Sequence, residues 1–262
     1  MEETKMTRTS LRKLEDLAAN LPSRDLDVLR DIEARRYVTS GQVQRLRFGS
    51  ASAQRIANRV LNRLKYHGLV TALPRRIGGV RGGSGDIVWA LTPAGFRLLH
   101  LDDVNQPRRK WFAPSRRFEE HTIAIAELDV QLRGIAGVTV TAAQFEPACW
   151  RDYGNGHKLK PDLYAVTESG EYQDCWLFEV DSGVEMPSQV MKKCMEYQDY
   201  YHSGMEQRAT GIFPRVVWLV PDSKRKETIQ RYIRENPALR QKGLFLVIVP
   251  EELEPLIRKG AA

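Results

Sequence analysis

Residues 24–70 read RDLDVLRDIEARRYVTSGQVQRLRFGSASAQRIANRVLNRLKYHGLV, and this stretch decides the fold of the first half of the chain. Leu26, Leu29 and Ile32, with Val28 beside them, recur at helical spacing and predict a first helix with one apolar stripe. Thr39 and Ser40 are good N-caps for a short second helix through Val43 and Leu46. Gly49 then breaks the chain, and Ser50 or Ser52 is expected to cap a third helix. In it Ile56, Val60 and Leu64 recur every four residues, and Leu61 widens the stripe. The opposite face carries Gln54, Arg55, Asn58, Arg59, Asn62 and Arg63. Arg, Asn and Gln are the side chains whose forked donors and acceptors match base edges in a major groove.

Downstream, residues 69–73 (LVTAL) and 86–91 (DIVWAL) read as two short strands. Between them lies a glycine-rich tip carrying Arg75, Arg76 and Arg81, cations suited to phosphates or a minor groove. Thr92-Pro93 then starts another helix, cap followed by proline at the first turn. Three helices, a hairpin and a helix, with a base-reading face on the third, resemble the winged helix-turn-helix domains of small bacterial DNA-binding proteins. Upstream, Leu11, Leu14 and Leu17 predict an amphipathic helix that covers its own domain or pairs with a symmetry mate.

Charge divides the chain in the same place. Residues 1–118 hold 23 Lys+Arg against 11 Asp+Glu, whereas residues 119–262 hold 17 against 22. A basic half fused to a mildly acidic half suggests one part that meets a polyanion and one with other work. Of the 262 residues, 42% are hydrophobic and 28% charged, enough apolar material for packed domains. The opening residues lack the apolar core of a signal peptide, and no apolar run reaches the ~18 residues of a spanning helix. The three cysteines (Cys149, Cys175, Cys194) have no metal-ligand spacing. The expectation is a cytoplasmic, nucleoid- or plasmid-associated protein with neither membrane nor small-molecule substrate. The division expected is an N-terminal arm over 1–22, the winged helix over 23–101, a basic linker over 102–118 and an α/β domain over 119–262.

In that last domain a helix is expected from His121, strands after Gly137, after Pro161 and from Tyr172, and a helix from Pro187 to about His202. The stripe of that helix is Val190, Cys194, Tyr197 and Tyr201. A strand at Arg215, a helix capped by Ser223, a strand at Gly243 and a final helix complete a mixed sheet with helices on both faces. Asp162 opens one strand directly after a proline. Glu179 and Asp181 stand two apart on the next and therefore share a face. Three such carboxylates suit Mg²⁺ or Mn²⁺, which activate water and stabilise a leaving phosphate. Glu127 on the preceding helix reads as an exposed glutamate or a fourth ligand.

Pro161-Asp162, followed some fifteen residues later by Glu179-Val180-Asp181 in an αβββαβ order, looks like the core of the PD-(D/E)xK nuclease superfamily. More specifically, EVDSGVE followed by Lys192, Lys193 and Tyr197, behind a winged helix, resembles the replication-relaxation family of plasmids and other mobile elements. That resemblance implies a duplex-DNA-binding protein acting in replication, DNA relaxation or transfer. It also implies a candidate catalytic set of Asp162, Glu179, Asp181 and Lys193, with Asp162, Glu179 and Asp181 as metal ligands. The superfamily places a lysine two residues after the glutamate, and Asp181 stands there instead. A neighbouring cation, Lys160, Lys192 or Lys193, takes over, or the fold has lost the reaction. Three functions follow: a DNA-binding replication protein with a degenerate nuclease domain, a metal-dependent endonuclease or nickase, or a repressor. A homodimer on double-stranded DNA is expected.

Overall fold

A computed structural model describes residues 9–49, 51–74, 86–103, 114–154 and 156–260. The chain is mixed α/β and forms two compact units, Met1–Val130 and Gln131–Ala262. Among the described residues no helix is long and apolar enough to cross a membrane.

In the first unit, α1 (Leu11–Asn20) is followed by α2 (Ser23–Arg35), β1 (Val38–Thr39) and α3 (Ser40–Arg47). Leu14 of α1 is fully buried in the core of its own unit, among residues that include Leu98, so the helix covers its own domain. Thr39 caps α3 in a reciprocal box: its hydroxyl accepts from Gln42 N while the Gln42 side chain accepts from Thr39 N. After a 3-10 turn at Ala51–Ala53 come α4 (Gln54–Tyr66), β2 (Val70–Ala72), β3 (Val88–Leu91) and α5 (Pro93–Leu99). The three strands form one antiparallel sheet in the order β1-β3-β2.

The start of α4 differs from the expectation. Ser50 lies outside the described residues, Ser52 sits inside the 3-10 turn, and Ala53 occupies the cap position without a side-chain hydrogen bond. The apolar stripe is also rotated. Ala57, Val60, Leu61 and Leu64 are buried, while Ile56 is 42% exposed. A strict spacing of four drifts by ~40° per step on a helix of 3.6 residues per turn, and Ala57 fits the stripe where Ile56 does not.

The seat of α5 depends on close backbone approach. Thr92 caps the helix by accepting from Gly95 N, and its hydroxyl donates to Gly68 O at 2.6 Å. A Cβ on Gly95 would stand 2.1 Å from Leu69 O, so only glycine fits there.

Helix α6 (Arg116–Gly134) begins before His121, because the Ser115 hydroxyl accepts from Phe118 N and caps it. The division between the two units falls within this helix. In the second unit, β4 (Thr139–Phe145) is followed by two-residue strands β5 (Arg151–Asp152) and β6 (Lys158–Leu159), a hairpin that the sequence pattern does not reveal. Then come β7 (Leu163–Ser169), β8 (Tyr172–Val180), α7 (Pro187–Ser203), α8 (Met205–Thr210), β9 (Arg215–Leu219), α9 (Ser223–Glu235), β10 (Phe245–Ile248) and α10 (Leu253–Lys259). The main sheet runs β10-β9-β8-β7-β4, antiparallel from β4 to β8 and parallel from β8 to β10.

Leu177, Val216, Trp218 and Val247 form one face of that sheet and pack against α7 and α9 through Val190, Cys194, Tyr197 and Ile229. The alternate residues Trp176, Phe178, Val217 and Ile248 are also buried, so both faces are covered. Two local details correct the sequence reading. Tyr200, rather than Tyr201, is the buried tyrosine at the end of α7. Asp222, not Ser223, caps α9, its carboxylate accepting from Arg225 N at 2.8 Å.

Candidate functional site

Two groups of residues stand out, one in each unit. The first is the outward face of α4. Burying Ala57, Val60, Leu61 and Leu64 turns Arg55, Asn58, Arg59 and Asn62 outward, and all four are exposed. Gln54 is half-buried and donates to Asn58 Oδ1 at 3.1 Å.

Arg63 has a different task. Its guanidinium donates to both oxygens of Asp25, which is fully buried on α2, at 2.8 and 2.7 Å. It fastens α4 to α2. Other arginines of this unit are committed in the same way. Arg35 joins the buried carboxylates of Asp31 and Asp129, Arg47 reaches Asp31, and Arg45 grips both oxygens of Glu127 at 2.6 Å. Glu127 is therefore an ion-pair partner, held also by Gln42 at 3.1 Å. Among the described residues, Arg55 and Arg59 have no ion-pair partner and keep their cations free on the surface. Arg75, Arg76 and Arg81 lie outside the described residues.

The second group gathers around Glu179 near the end of β8. Pairing of Leu163 with Phe178 sets Asp162 beside this strand end, where its carboxylate accepts from Val180 N at 2.7 Å. Glu179 faces α7, and both of its oxygens are taken: Lys193 Nζ donates to one and the Tyr197 hydroxyl to the other. Asp181, just past the end of β8, is held from α9. Arg225 donates to both of its oxygens and to Glu185 O, and Gly183 N adds a further bond at 3.0 Å. Lys192 is exposed on α7, one residue out of phase with the cluster. Lys160 lies over the Trp150 ring.

Electrostatics follow from burial. Glu179 is 2% exposed, and desolvation pushes its carboxyl up to about 8, against the pull of Lys193 and with a further push from Asp162. Burial alone would lower the Lys193 ammonium, but the carboxylates of Glu179 and Asp162 more than offset it and the net direction is upward. Tyr197 is also raised, chiefly by burial, and so stays protonated as a donor to Glu179. This arrangement does not fit a divalent ion. Glu179 would have to give up both its Lys193 and Tyr197 donors in a buried site, while both oxygens of Asp181 are engaged by Arg225. Among the described residues, no group of three or more His, Cys, Asp or Glu is placed to hold a metal.

A family model described as replication-relaxation matches residues 29–216, well over half of the chain. The chain belongs to the replication-relaxation family. The match runs from α2 to the first residues of β9, so the outward face of α4 and the Asp162–Glu179–Lys193 cluster both lie inside the part this family shares. Comparison with curated proteins and with solved structures returned no match.

Within this replication-relaxation chain, two partners of the carboxylates escape sequence reasoning. Tyr197 reads as a packing residue because it falls on the apolar stripe of α7, and its hydroxyl carries no local signal. Arg225 lies 44 residues from Asp181, and nothing in the sequence between them announces the pair.

Proposed function

We propose that the chain is a duplex-DNA-binding protein of a bacterial plasmid or other mobile element, acting in replication, DNA relaxation or transfer. The element order α2, α3, α4, hairpin, α5 supports a winged helix-turn-helix reading, with α4 as the recognition helix. One observation carries the reading. In a unit that ties up Arg35, Arg45, Arg47 and Arg63 in ion pairs, α4 leaves Arg55 and Arg59 free beside Asn58 and Asn62 on a single exposed face. Guanidinium forks pair with guanine and carboxamides with adenine in the major groove. Arg75, Arg76 and Arg81, between β2 and β3 in the sequence, supply contacts to flanking phosphates, and two copies of the chain bind paired half-sites as a homodimer.

The order β4, β7, β8, α7, β9 in the second unit, following α6, supports reading it as a PD-(D/E)xK nuclease-like domain with Asp162 and Glu179 as its motif residues. On this reading it is catalytically degenerate and uses no metal. Lys193 and Tyr197 close the Glu179 carboxylate from one side, and Arg225 removes Asp181 from the other.

Binding of the full chain to a labelled duplex across a salt series tests the first half of the reading. Affinity should fall steeply with salt, and an absence of binding in dilute salt refutes it. Incubation of supercoiled plasmid with Mg²⁺ or Mn²⁺ tests the second half. The expected result is no nicking above a Glu179→Ala control. Nicking abolished by Asp162→Ala and Glu179→Ala would make the chain a metal-dependent nickase instead.

A further inference from the structure

The short hairpin of β5 and β6 carries an aromatic and cationic face of its own. Leu159 is fully buried in the core against α7, so Lys158 and Lys160 on either side of it leave from the opposite, outer face. Both are exposed, and both ammonium groups lie over the ring of Trp150, Lys160 at 4.7 Å and Lys158 at 5.9 Å from its centroid. The indole is held by its edge, Nε1 donating to Glu146 Oε1 at 3.4 Å. Neither lysine has a carboxylate partner among the described residues. The Asp152 side chain, which lies across the hairpin from Lys158, accepts instead from Gly154 N at 3.0 Å.

We propose that Trp150, Lys158 and Lys160 form a binding site for single-stranded DNA, in which an unpaired base stacks on the indole and the two ammonium groups move from the ring to flanking phosphates. Stacking of a base on an aromatic ring outweighs an exposed cation–π contact, so the exchange runs toward the nucleic acid. A duplex offers its phosphates but keeps its base faces inside the stack, which gives the site a preference for unpaired strands. The inference rests on the reading of the chain as a DNA-binding protein, but on residues that the duplex-reading face of α4 does not use.

Fluorescence anisotropy of the full chain with a labelled oligothymidine strand, and with a labelled duplex of equal length, separates the two. Lys158→Ala/Lys160→Ala should weaken single-strand binding about tenfold and reduce its log–log salt slope by about 1.4, at ~0.7 for each phosphate no longer neutralised. Duplex affinity should stay at the wild-type value. Trp150→Ala should lose single-strand binding to a similar extent and Trp150→Phe should retain most of it, because the π face is what the base uses. Arg59→Ala should keep single-strand binding at the wild-type value, its effect being confined to duplex discrimination. Wild-type affinity of the double-lysine variant for the single strand overturns the proposal, as does a wild-type chain that binds duplex and ignores oligothymidine. A chain that ignores duplex yet binds oligothymidine through these residues refutes the α4 reading and leaves this one standing.

Discussion

Arg63 on α4 donates two hydrogen bonds to Asp25 on α2, and the carboxylate it reaches is fully buried. The pair lies on the flank of the helix whose exposed face is proposed to read DNA, so neighbouring arginines have separable roles. Arg63→Ala leaves a buried carboxylate without its counter-charge and should cost about 2–3 kcal/mol of stability, toward the lower end because the guanidinium is 39% exposed. Urea denaturation measures that loss.

Arg59→Ala should leave the denaturation midpoint unchanged and reduce discrimination between target and random duplexes by about 1–3 kcal/mol. Competition binding at fixed salt measures it. Equal losses on all sequences would show that Arg59 contacts phosphate rather than a base.

The turn into α5 predicts a steric effect. In Gly95→Ala the new methyl meets Leu69 O, a backbone atom held by the Thr92 cap, and also approaches Leu91 Cδ2. The expected cost is about 2 kcal/mol or more, since the clash cannot be relieved by a side-chain rotation. A thermal melt within a degree of wild type would contradict the close approach.

The buried pair of Arg35 and Asp129 makes an asymmetric prediction. Asp129→Ala takes one of two carboxylates from a guanidinium that is 5% exposed, leaving it Asp31 alone, and should destabilise by about 3 kcal/mol. Asp129→Leu combined with Arg35→Met removes both charges, leaves Asp31 to Arg47, and should recover part of that loss. A double variant as unstable as the single one would show that the pair contributes geometry that apolar packing does not replace.

Glu179 gives the second unit a pH dependence of known sign. Its carboxyl rises from an ordinary 4.5 to about 8 on folding, so between those values the folded chain binds the extra proton. The stability it contributes is complete below about pH 4.5 and is lost as pH rises through about 8. Denaturation of wild type and Glu179→Gln at intervals from pH 5 to 9 should show wild type losing stability relative to the variant as pH rises. Parallel curves would mean that Lys193 keeps the carboxylate ionised throughout.

Local pattern carries much of the fold. The Thr39–Gln42 capping box, the Thr92-Pro93 helix start and the β7–β8 hairpin can all be read within a few residues of sequence. What escapes falls into two classes. The β5–β6 strands are two residues each, too short for alternation to show. The ion pairs Asp25–Arg63 and Asp181–Arg225 join residues 38 and 44 positions apart, and propensity and periodicity are blind to partners at that distance. Spacing alone therefore groups Arg63 with the base-reading face and Asp181 with the metal ligands, whereas each is taken up by its distant partner.

The clamp between Asp181 and Arg225 also restricts how this protein can change over time. An Asp181→Lys step, which would supply the lysine that the proposed nuclease-like reading lacks, delivers an ammonium into a niche where Arg225 is 12% exposed and already cationic. A lysine at position 181 is therefore expected only where the arginine on α9 has already been replaced.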